Sequence, residues 1–330
     1  MPAVQDLSIR QLQYAVAVAD TLGFHRAAQK CHVSQPTLSA QIQQAEEVLG
    51  VRLFERDKRR VLVTPAGVEV VARARLVLLA LDDLLATARG RRDPFAGTYR
   101  IGVIPTLAPY LLPDITRALR QAHPELHVLW REQSTAQLLE DLSAGRVDAG
   151  LAALVPELEP MRSVAVLEDP FVVALPLGHA LARKRSLQLS DLESVPVLLL
   201  DDGHCFRAQA LALCSRARAE EVDFRATSLS TLAQMVSAGL GVTLLPASAV
   251  AVENRRGQLE ILRFAPPVPG RTVGLVWRPA CPYDETFLAL AGTLRGALTG
   301  RRQSSARRPS RATSSRHQPR TSSNAPGVRR

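Results

Sequence analysis

The stretch Phe24-His-Arg-Ala-Ala-Gln-Lys-Cys-His-Val-Ser-Gln-Pro-Thr-Leu-Ser39 predicts a helix, a tight turn and a second helix. In the first helix, Ala27 and Ala28 provide a small face for packing. Ser34 is a good N-cap for the next helix, because its hydroxyl can accept a hydrogen bond from a free N–H group of the first turn. Pro36 is tolerated in that turn, where no helical N–H bond is lost. The pattern is typical of a helix-turn-helix unit.

The second helix has one apolar face and one polar face. Four apolar residues recur at steps of four, three and four before Gly50 ends the helix: Leu38, Ile42, Ala45 and Leu49. The exposed side starts with short or amide side chains, which pair well with base edges and phosphates. The predicted DNA-contacting residues of this helix are Ser34, Gln35, Pro36, Thr37, Ser39 and Gln41. We expect its N-terminal residues to enter the major groove of double-stranded DNA.

A charged hairpin follows the helices. The alternating residues 52–56 and 61–64 flank a basic turn and predict a two-stranded wing. The predicted phosphate contacts are Arg56, Lys58, Arg59 and Arg60. Such a charge run alone is more often an ordinary solvated turn, but its coincidence with the helix-turn-helix pattern favours DNA binding.

The rest of the chain predicts an α/β fold. A mostly apolar helix at about 66–90 needs a partner helix, and 90–97 reads as a hinge. From Thr98 strands and helices alternate, which indicates parallel α/β sheets, and late elements return to give two lobes. The expected domains are a winged helix-turn-helix (1–66), a linker and dimerisation helix with its hinge (67–97), a two-lobed regulatory domain (98–300) and an arginine-rich tail (301–330).

The net charge of +10 is carried mostly by the tail, which holds nine arginines and no acidic residue. Without them the charge of residues 1–300 is 10 − 9 = +1. The tail composition predicts disorder. It either adds non-specific attraction to nucleic acid or is a neutral extension.

Composition also bounds the compartment. The N-terminus has no apolar signal segment, and no uncharged stretch is suited to span a lipid bilayer. Four cysteines in 330 residues do not make the disulfide framework that is typical of secreted proteins. We therefore expect a cytoplasmic protein with no membrane partner and no cofactor.

Cys205 and Cys214 are nine residues apart. In a continuous helix they would lie on opposite faces, about 13.5 Å apart along the axis. A disulfide needs Cα atoms within about 7 Å, so the two thiols can join only if the segment refolds. His204 and Arg207 flank Cys205 and favour a reactive thiolate. Structural zinc is not expected, because the short paired spacings of its ligands are missing.

Several blocks resemble LysR-type transcriptional regulators. The helix-turn-helix stretch above, Leu49-Gly-Val-Arg-Leu-Phe-Glu-Arg56, Thr64-Pro-Ala-Gly67 and Ala238-Gly-Leu-Gly-Val-Thr-Leu-Leu-Pro246 carry the family pattern. The blocks at 101–113, 202–205 and 224–229 resemble more narrowly the peroxide-sensing OxyR branch. The resemblance covers about residues 7–298. Ala208 and Phe206 depart from that branch, which often has an acidic residue at position 208.

The resemblance implies a tetrameric DNA-binding regulator of oxidative-stress genes, with a periplasmic-binding-protein-like sensor domain. It implies that RNA polymerase is a partner and hydrogen peroxide the signal. Cys205 would be the peroxidatic cysteine and Cys214 the resolving one, joined in a reversible disulfide. The residues that the resemblance implies for holding peroxide are Thr106, Thr135, His204, Arg207, Gln209 and Arg278.

Two alternatives remain open from sequence. The regulator could answer to a small organic effector in the cleft while the thiols stay idle. A thiol peroxidase is the other alternative, but it would leave the DNA-binding unit unexplained, so no enzyme is expected. Cys31 and Cys281 are interpreted as small buried hydrophobes.

Overall fold

The computed structural model describes residues 7–56, 61–88 and 94–306, and of residues 56, 83, 86–88 and 300–306 the backbone alone. The predicted hinge at 90–97 therefore lies partly outside the described residues, and the tail at 301–330 lies mostly outside them. Lys58, Arg59 and Arg60 are also outside, as is the side chain of Arg56. No helix in the described parts of the chain is long and apolar enough to cross a membrane.

The N-terminal unit is a helix-turn-helix with a hairpin and a long helix. Its elements are α1 (Ile9–Thr21), α2 (Phe24–Lys30), α3 (Gln35–Leu49), β1 (Phe54–Arg56), β2 (Val61–Val63) and α4 (Pro65–Ala88). Ser34 caps α3 by accepting a hydrogen bond from the Thr37 N–H at 3.2 Å. Leu38 and Ile42 are fully buried, and Ala45 is buried as well. The cap and the spacing of apolar residues therefore place α3 as the sequence predicted.

The regulatory part of the chain is a mixed α/β structure. Its strands are β3 (Gly97–Val103), β4 (Leu126–Glu132), β5 (Ala149–Ala153), β6 (Arg162–Pro176), β7 (Pro196–Leu200), β8 (Glu220–Ala226), β9 (Val242–Pro246), β10 (Leu259–Arg263) and β11 (Gly270–Trp277). Its helices are α5 (Ala108–Ala122), α6 (Thr135–Ser143), α7 (Cys205–Ala217), α8 (Leu229–Ser237), α9 (Ala247–Glu253) and α10 (Asp284–Ala306).

The strands run in the order β4-β3-β5-β11-β6-β9-β7-β8, with β10 paired to β6. We call β3–β5, β11 and α10 with helices α5 and α6 lobe 1, and β7–β10 with α7–α9 lobe 2. Parallel pairing joins β3 to β4 and β5, and β7 to β8 and β9. The late strand β11 returns to lobe 1, where it runs antiparallel to β5 and β6. The two-lobed α/β architecture is confirmed, but the sheet is mixed and not purely parallel.

The strand β6 is long, Arg162–Pro176, and contains a proline in its interior. β6 continues through Pro170, which lies opposite Gly270 of β11. A Cβ at Gly270 would come within 3.0 Å of the Pro170 Cα. Because glycine stands there, the two strands approach closely and the proline stays inside the ladder. This strand is shared by the two lobes.

Candidate functional site

The thiols of Cys205 and Cys214 are held apart by an intact helix. Cys205 is the first residue of α7 and is partly buried, whereas Cys214 is 4% exposed near the other end. Nine helical residues separate the two along the axis by about 13.5 Å, well beyond the reach of a disulfide. All four cysteines are free thiols. The structure is therefore that of the reduced chain, and bond formation requires α7 to unwind.

Burial suppresses the reactivity of Cys214. Its surroundings raise the pKa of the thiol to about 11, chiefly through loss of solvent and secondarily through the negative charge of Glu221. At neutral pH this thiol is protonated, and only the thiolate is a good nucleophile. Cys214 stays inert while α7 is folded.

A buried ionic network lies beside the start of α7. Arg271 is 4% exposed and donates to Asp169 Oδ2 from Nε at 3.2 Å and from Nη2 at 3.1 Å. Its Nη1 donates to the Thr106 hydroxyl at 2.8 Å, and its Nη2 to the Thr106 carbonyl at 3.0 Å. Asp169 also accepts from the backbone and hydroxyl of Ser248. The charges are thus paired and hydrogen-bonded, as burial demands.

Phe206 joins this network to the cysteine helix. Its ring lies 5.5 Å from the Arg271 guanidinium carbon and 5.2 Å from the Phe171 ring, edge to face. Phe206 is 1% exposed and directly follows Cys205. The contact therefore brings a cation, the Thr106 hydroxyl and the N-terminal turn of α7 into one neighbourhood. The positive end of the helix dipole at this turn also favours negative charge.

Several buried polar side-chain atoms of the described residues have no hydrogen-bond partner. Among the described residues, buried atoms without a hydrogen-bond partner include Thr135 Oγ1, Gln209 Oε1 and Gln133 Nε2. Thr106 and Thr135 follow the carboxyl ends of the adjacent parallel strands β3 and β4, where α/β sheets bind ligands. Gln209 lies one helical turn after Cys205 and thus on the same face of α7. Such atoms suit a small ligand that both donates and accepts hydrogen bonds.

Arg207, one of the predicted site residues, makes its contacts away from the Thr106 cluster. Arg207 is buried and pairs with Asp202 at 2.9 Å and Glu221 at 3.0 Å, while its Nη1 donates to the Leu200 carbonyl. This guanidinium ties α7 to β7 and β8. Its three nitrogens are engaged there, so the structure does not bring it to the Thr106 cluster. His204 is the N-cap residue of α7 and is partly buried beside Cys205.

Arg278 is at the other end of β11 from the cluster. Its Nη1 donates to the Leu142 and Val147 carbonyls, at 2.6 and 2.8 Å. The cation beside Thr106 is Arg271, which the sequence analysis did not select. Arg271 is the second residue of β11 and Arg278 directly follows the strand, and the antiparallel pairing of β11 with β6 decides which of the two meets Asp169. The sequence does offer one signal for Arg271, namely an arginine within an apolar strand pattern, seven residues before Arg278.

The N-terminal turn of α3 forms an exposed polar surface. Gln35, Pro36 and Thr37 are exposed, and the Ser34 and Thr37 hydroxyls lie 2.7 Å apart. Gln41 is partly buried and donates to Gln44. Ser39 is partly buried. The turn thus offers hydroxyl and amide groups at the position from which recognition helices contact bases.

Two family models match the chain. The Bacterial regulatory helix-turn-helix protein, lysR family, matches residues 9–68, and the LysR substrate binding domain matches residues 92–299. The chain is 43% identical over 295 residues to the DNA-binding transcriptional dual regulator OxyR of Escherichia coli K12, covering 89% of this chain and 97% of that one. It is 42% identical over 298 residues to a probable hydrogen peroxide-inducible genes activator of Mycobacterium avium, covering 90% and 96%.

The chain is also similar to solved structures of OxyR proteins. A full-length OxyR variant from Pseudomonas aeruginosa superposes with a TM-score of 0.79 at 35% identity, covering 87% of this chain and 94% of that one. A peroxide-bound mutant of Corynebacterium glutamicum OxyR superposes with a TM-score of 0.63 at 36% identity, covering 91% and 97%.

Proposed function

Because the chain belongs to the LysR family of bacterial transcriptional regulators, and within it to the OxyR branch, we propose that it senses hydrogen peroxide through Cys205 and Cys214. The observation that carries this is a reduced thiol pair on one helix, next to a buried cation and unpaired polar atoms. The product would be a Cys205–Cys214 disulfide, and the output a change in DNA binding.

The chemistry needs two balanced steps. The Cys205 thiolate attacks one oxygen of peroxide, so an S–O bond forms, the O–O bond breaks and the leaving oxygen takes a proton to become water. The product is a sulfenic acid. The Cys214 thiol then attacks that sulfur, the S–O bond breaks and a second water leaves. Two electrons pass from the thiols to peroxide, and a reductant must later return them.

Thr106 and Arg271 are suited to the first step. The Thr106 oxygen accepts a hydrogen bond from Arg271, so its own proton can point to the peroxide. Acceptance from a cation makes that hydroxyl a stronger donor to the leaving oxygen, where negative charge develops. Thr135 and Gln209 supply further unpaired atoms for the two O–H groups of peroxide. His204, adjacent to Cys205, completes the proposed pocket.

The second step depends on refolding of α7. The folded helix is held by buried Phe206 and by Arg207, whose hydrogen bond to the Leu200 carbonyl and ion pair with Glu221 tie it to β7 and β8. Unwinding gives up these contacts and exposes Cys214, which removes the burial that keeps its thiol protonated. A covalent bond formed only in the unwound state supplies the differential stability that a two-state switch requires.

The proposed DNA contacts are the exposed residues at the start of α3 together with the basic wing. Replacement of Gln35 with alanine is expected to cost about 1–3 kcal/mol in specific binding and to relax sequence preference at one base pair. Gln43 is exposed about two turns further along α3 and serves as the control. A loss equal for both variants, or equal on unrelated DNA, would argue against base contact by Gln35.

Self-association is part of the proposal. Exposed apolar side chains on α4 include Val77 at 50%, Leu84 at 62% and Leu85 at 41%, more than a solitary surface helix usually carries. Pairing of α4 helices, and of regulatory domains into a tetramer, would cover them. We further propose RNA polymerase as a partner, cytoplasmic action on promoter DNA, and no catalytic turnover beyond the sensing reaction.

The decisive experiment treats the reduced full chain with stoichiometric peroxide, maps its disulfides by mass spectrometry and measures its DNA footprint. We expect a Cys205–Cys214 bond and an altered footprint, both lost in Cys205→Ser and both kept in Cys31→Ser. Absence of this bond, with a footprint that instead answers to a metabolite, would replace the peroxide sensor by an effector-binding regulator. Rapid turnover with a reductant and an unchanged footprint would indicate a peroxidase.

A further inference from the structure

We propose that the α6–β5 loop, residues 144–148, is a docking surface through which the regulatory domain holds helix α4 and the DNA-binding unit of the same chain. Gly145 lies against α4: a Cβ there would be 3.3 Å from Leu79 Cδ1, 3.6 Å from Arg75 Cβ and 3.6 Å from Leu76 Cδ2. The loop therefore contacts one face of α4, and a side chain at position 145 would press on the end of Leu79.

The loop is stiff. Gly145 has φ +68° and donates its N–H to the Leu142 carbonyl, while the Arg146 N–H donates to the Asp141 carbonyl at 2.8 Å. The Arg146 side chain pairs with Asp141 at 2.6 Å. The hydrogen bonds back to α6 and the Arg146–Asp141 ion pair restrict the loop, so that it presents an ordered surface to α4.

Arg278 acts as a positioning residue for this surface. Its Nη1 clamps the Leu142 and Val147 carbonyls, one on each side of the loop. Arg278 as a residue is 7% exposed, so these two short hydrogen bonds form away from competing water. Arg278 immediately follows β11, and Arg271 of the thiol site is the second residue of the same strand. A buried strand thus has its two ends at the thiol site and at the α4 dock.

From the dock the contacts continue into the DNA-binding unit. The stem of Arg75 lies against the loop, and its guanidinium pairs with Asp20 of α1 at 2.5 Å. Asp20 also pairs with Lys30 of α2 at 3.3 Å, the helix that precedes the turn into α3. Although burial alone would raise it, the hydrogen bonds and charges of Arg75 and Lys30 lower the pKa of the Asp20 carboxyl. The loop therefore touches the helix that orients the DNA-binding helices.

The coupling part of this inference rests on the proposed peroxide switch, whereas the dock itself does not. The test uses Gly145→Asn in the full chain. Asparagine tolerates the left-handed backbone, so the main effect is the side chain pushed against α4. Gly257→Asn is the matched control, because Gly257 has φ +66° and nothing within 4 Å of its Cβ position. Leu79→Ala weakens the same contact from α4 without touching the loop.

We expect hydrogen exchange of α4 amides to become at least tenfold faster in Gly145→Asn and Leu79→Ala and to stay unchanged in Gly257→Asn. Peroxide should form the disulfide at a rate within twofold of wild type in all three. The ratio of DNA affinities between the reduced and oxidised forms should fall at least fivefold in the first two variants only. Exchange equal in Gly145→Asn and Gly257→Asn overturns the dock, and an unchanged affinity ratio overturns the coupling. Failure of wild type to form the disulfide counts against the proposed function, while the exchange comparison still decides the dock.

Discussion

Replacement of Phe206 with alanine should make the Cys205–Cys214 disulfide harder to reduce. Phe206 is 1% exposed, with its ring edge-on to Phe171 and beside the Arg271 guanidinium. Truncation of a buried phenylalanine costs about 3–5 kcal/mol. If the residue after Cys205 leaves its pocket when α7 unwinds, that cost falls on the reduced form alone. At about 30 mV for each 1.4 kcal/mol, the reduction potential should become more negative by about 60–100 mV.

Phe287 gives the matched control. It is fully buried in α10, edge-on to Tyr99 and remote in sequence from the cysteines. Both redox forms are expected to bury it equally, so Phe287→Ala should destabilise both forms and shift the potential by less than about 15 mV. The potential is measured by equilibration with glutathione buffers, acid quenching and mass spectrometry. An equal shift for the two variants, or a less negative potential for Phe206→Ala, would refute the unwinding of α7.

Three further outcomes follow from the charged and titrating groups. Arg271→Gln should slow oxidation of Cys205 by about 10–100-fold in stopped-flow measurements, whereas Arg278→Gln should leave the rate within about threefold, because only Arg271 contacts Thr106. Since burial raises the folded pKa of Cys214 to about 11, the free energy of unfolding of the reduced chain should be at its full value below pH ~9 and fall by up to about 2 kcal/mol towards pH ~11. Urea titrations should show this decrease in wild type and not in Cys214→Ala. Since the folded pKa of Asp20 is lowered, its contribution to stability should persist above pH ~4 and vanish as pH falls through the folded value; an acid titration of Asp20→Asn that matches wild type would exclude this.

The elements that the sequence predicts correctly depend mostly on interactions between residues that are close in sequence. The Ser34 cap and the spacing of Leu38 and Ile42 were enough for α3, because these interactions lie within one helix. The separation of Cys205 and Cys214 along one helix likewise follows from their spacing, because both residues belong to α7. The continuous strand through Pro170 could not be predicted from the sequence. A proline interrupts a strand unless its partner leaves space, and that partner, Gly270, is a hundred residues away.

The choice between Arg271 and Arg278 shows the same limit at the site itself. Both are arginines at the ends of one apolar strand, so composition and spacing treat them alike. Tertiary contacts distinguish them: Asp169 lies opposite Arg271 in the β6–β11 ladder, whereas the carbonyls of Leu142 in α6 and Val147 in the α6–β5 loop lie beside Arg278. A buried cation is stable only where its partners are, so the positions of partners distant in sequence determine its role.

In the proposed mechanism, burial gives the two thiols of α7 different roles and thereby imposes an order of events. Cys214 cannot compete for peroxide while α7 is folded, because its thiol stays protonated and enclosed. Cys205, partly exposed at the first residue of α7, would therefore meet peroxide first. Unwinding then brings Cys214 into solvent, where its pKa returns towards about 8.5 and it becomes a nucleophile near the sulfenic acid. The same helix therefore protects the resolving thiol before the reaction and delivers it afterwards, so early loss of α7 would let both thiols oxidise without order.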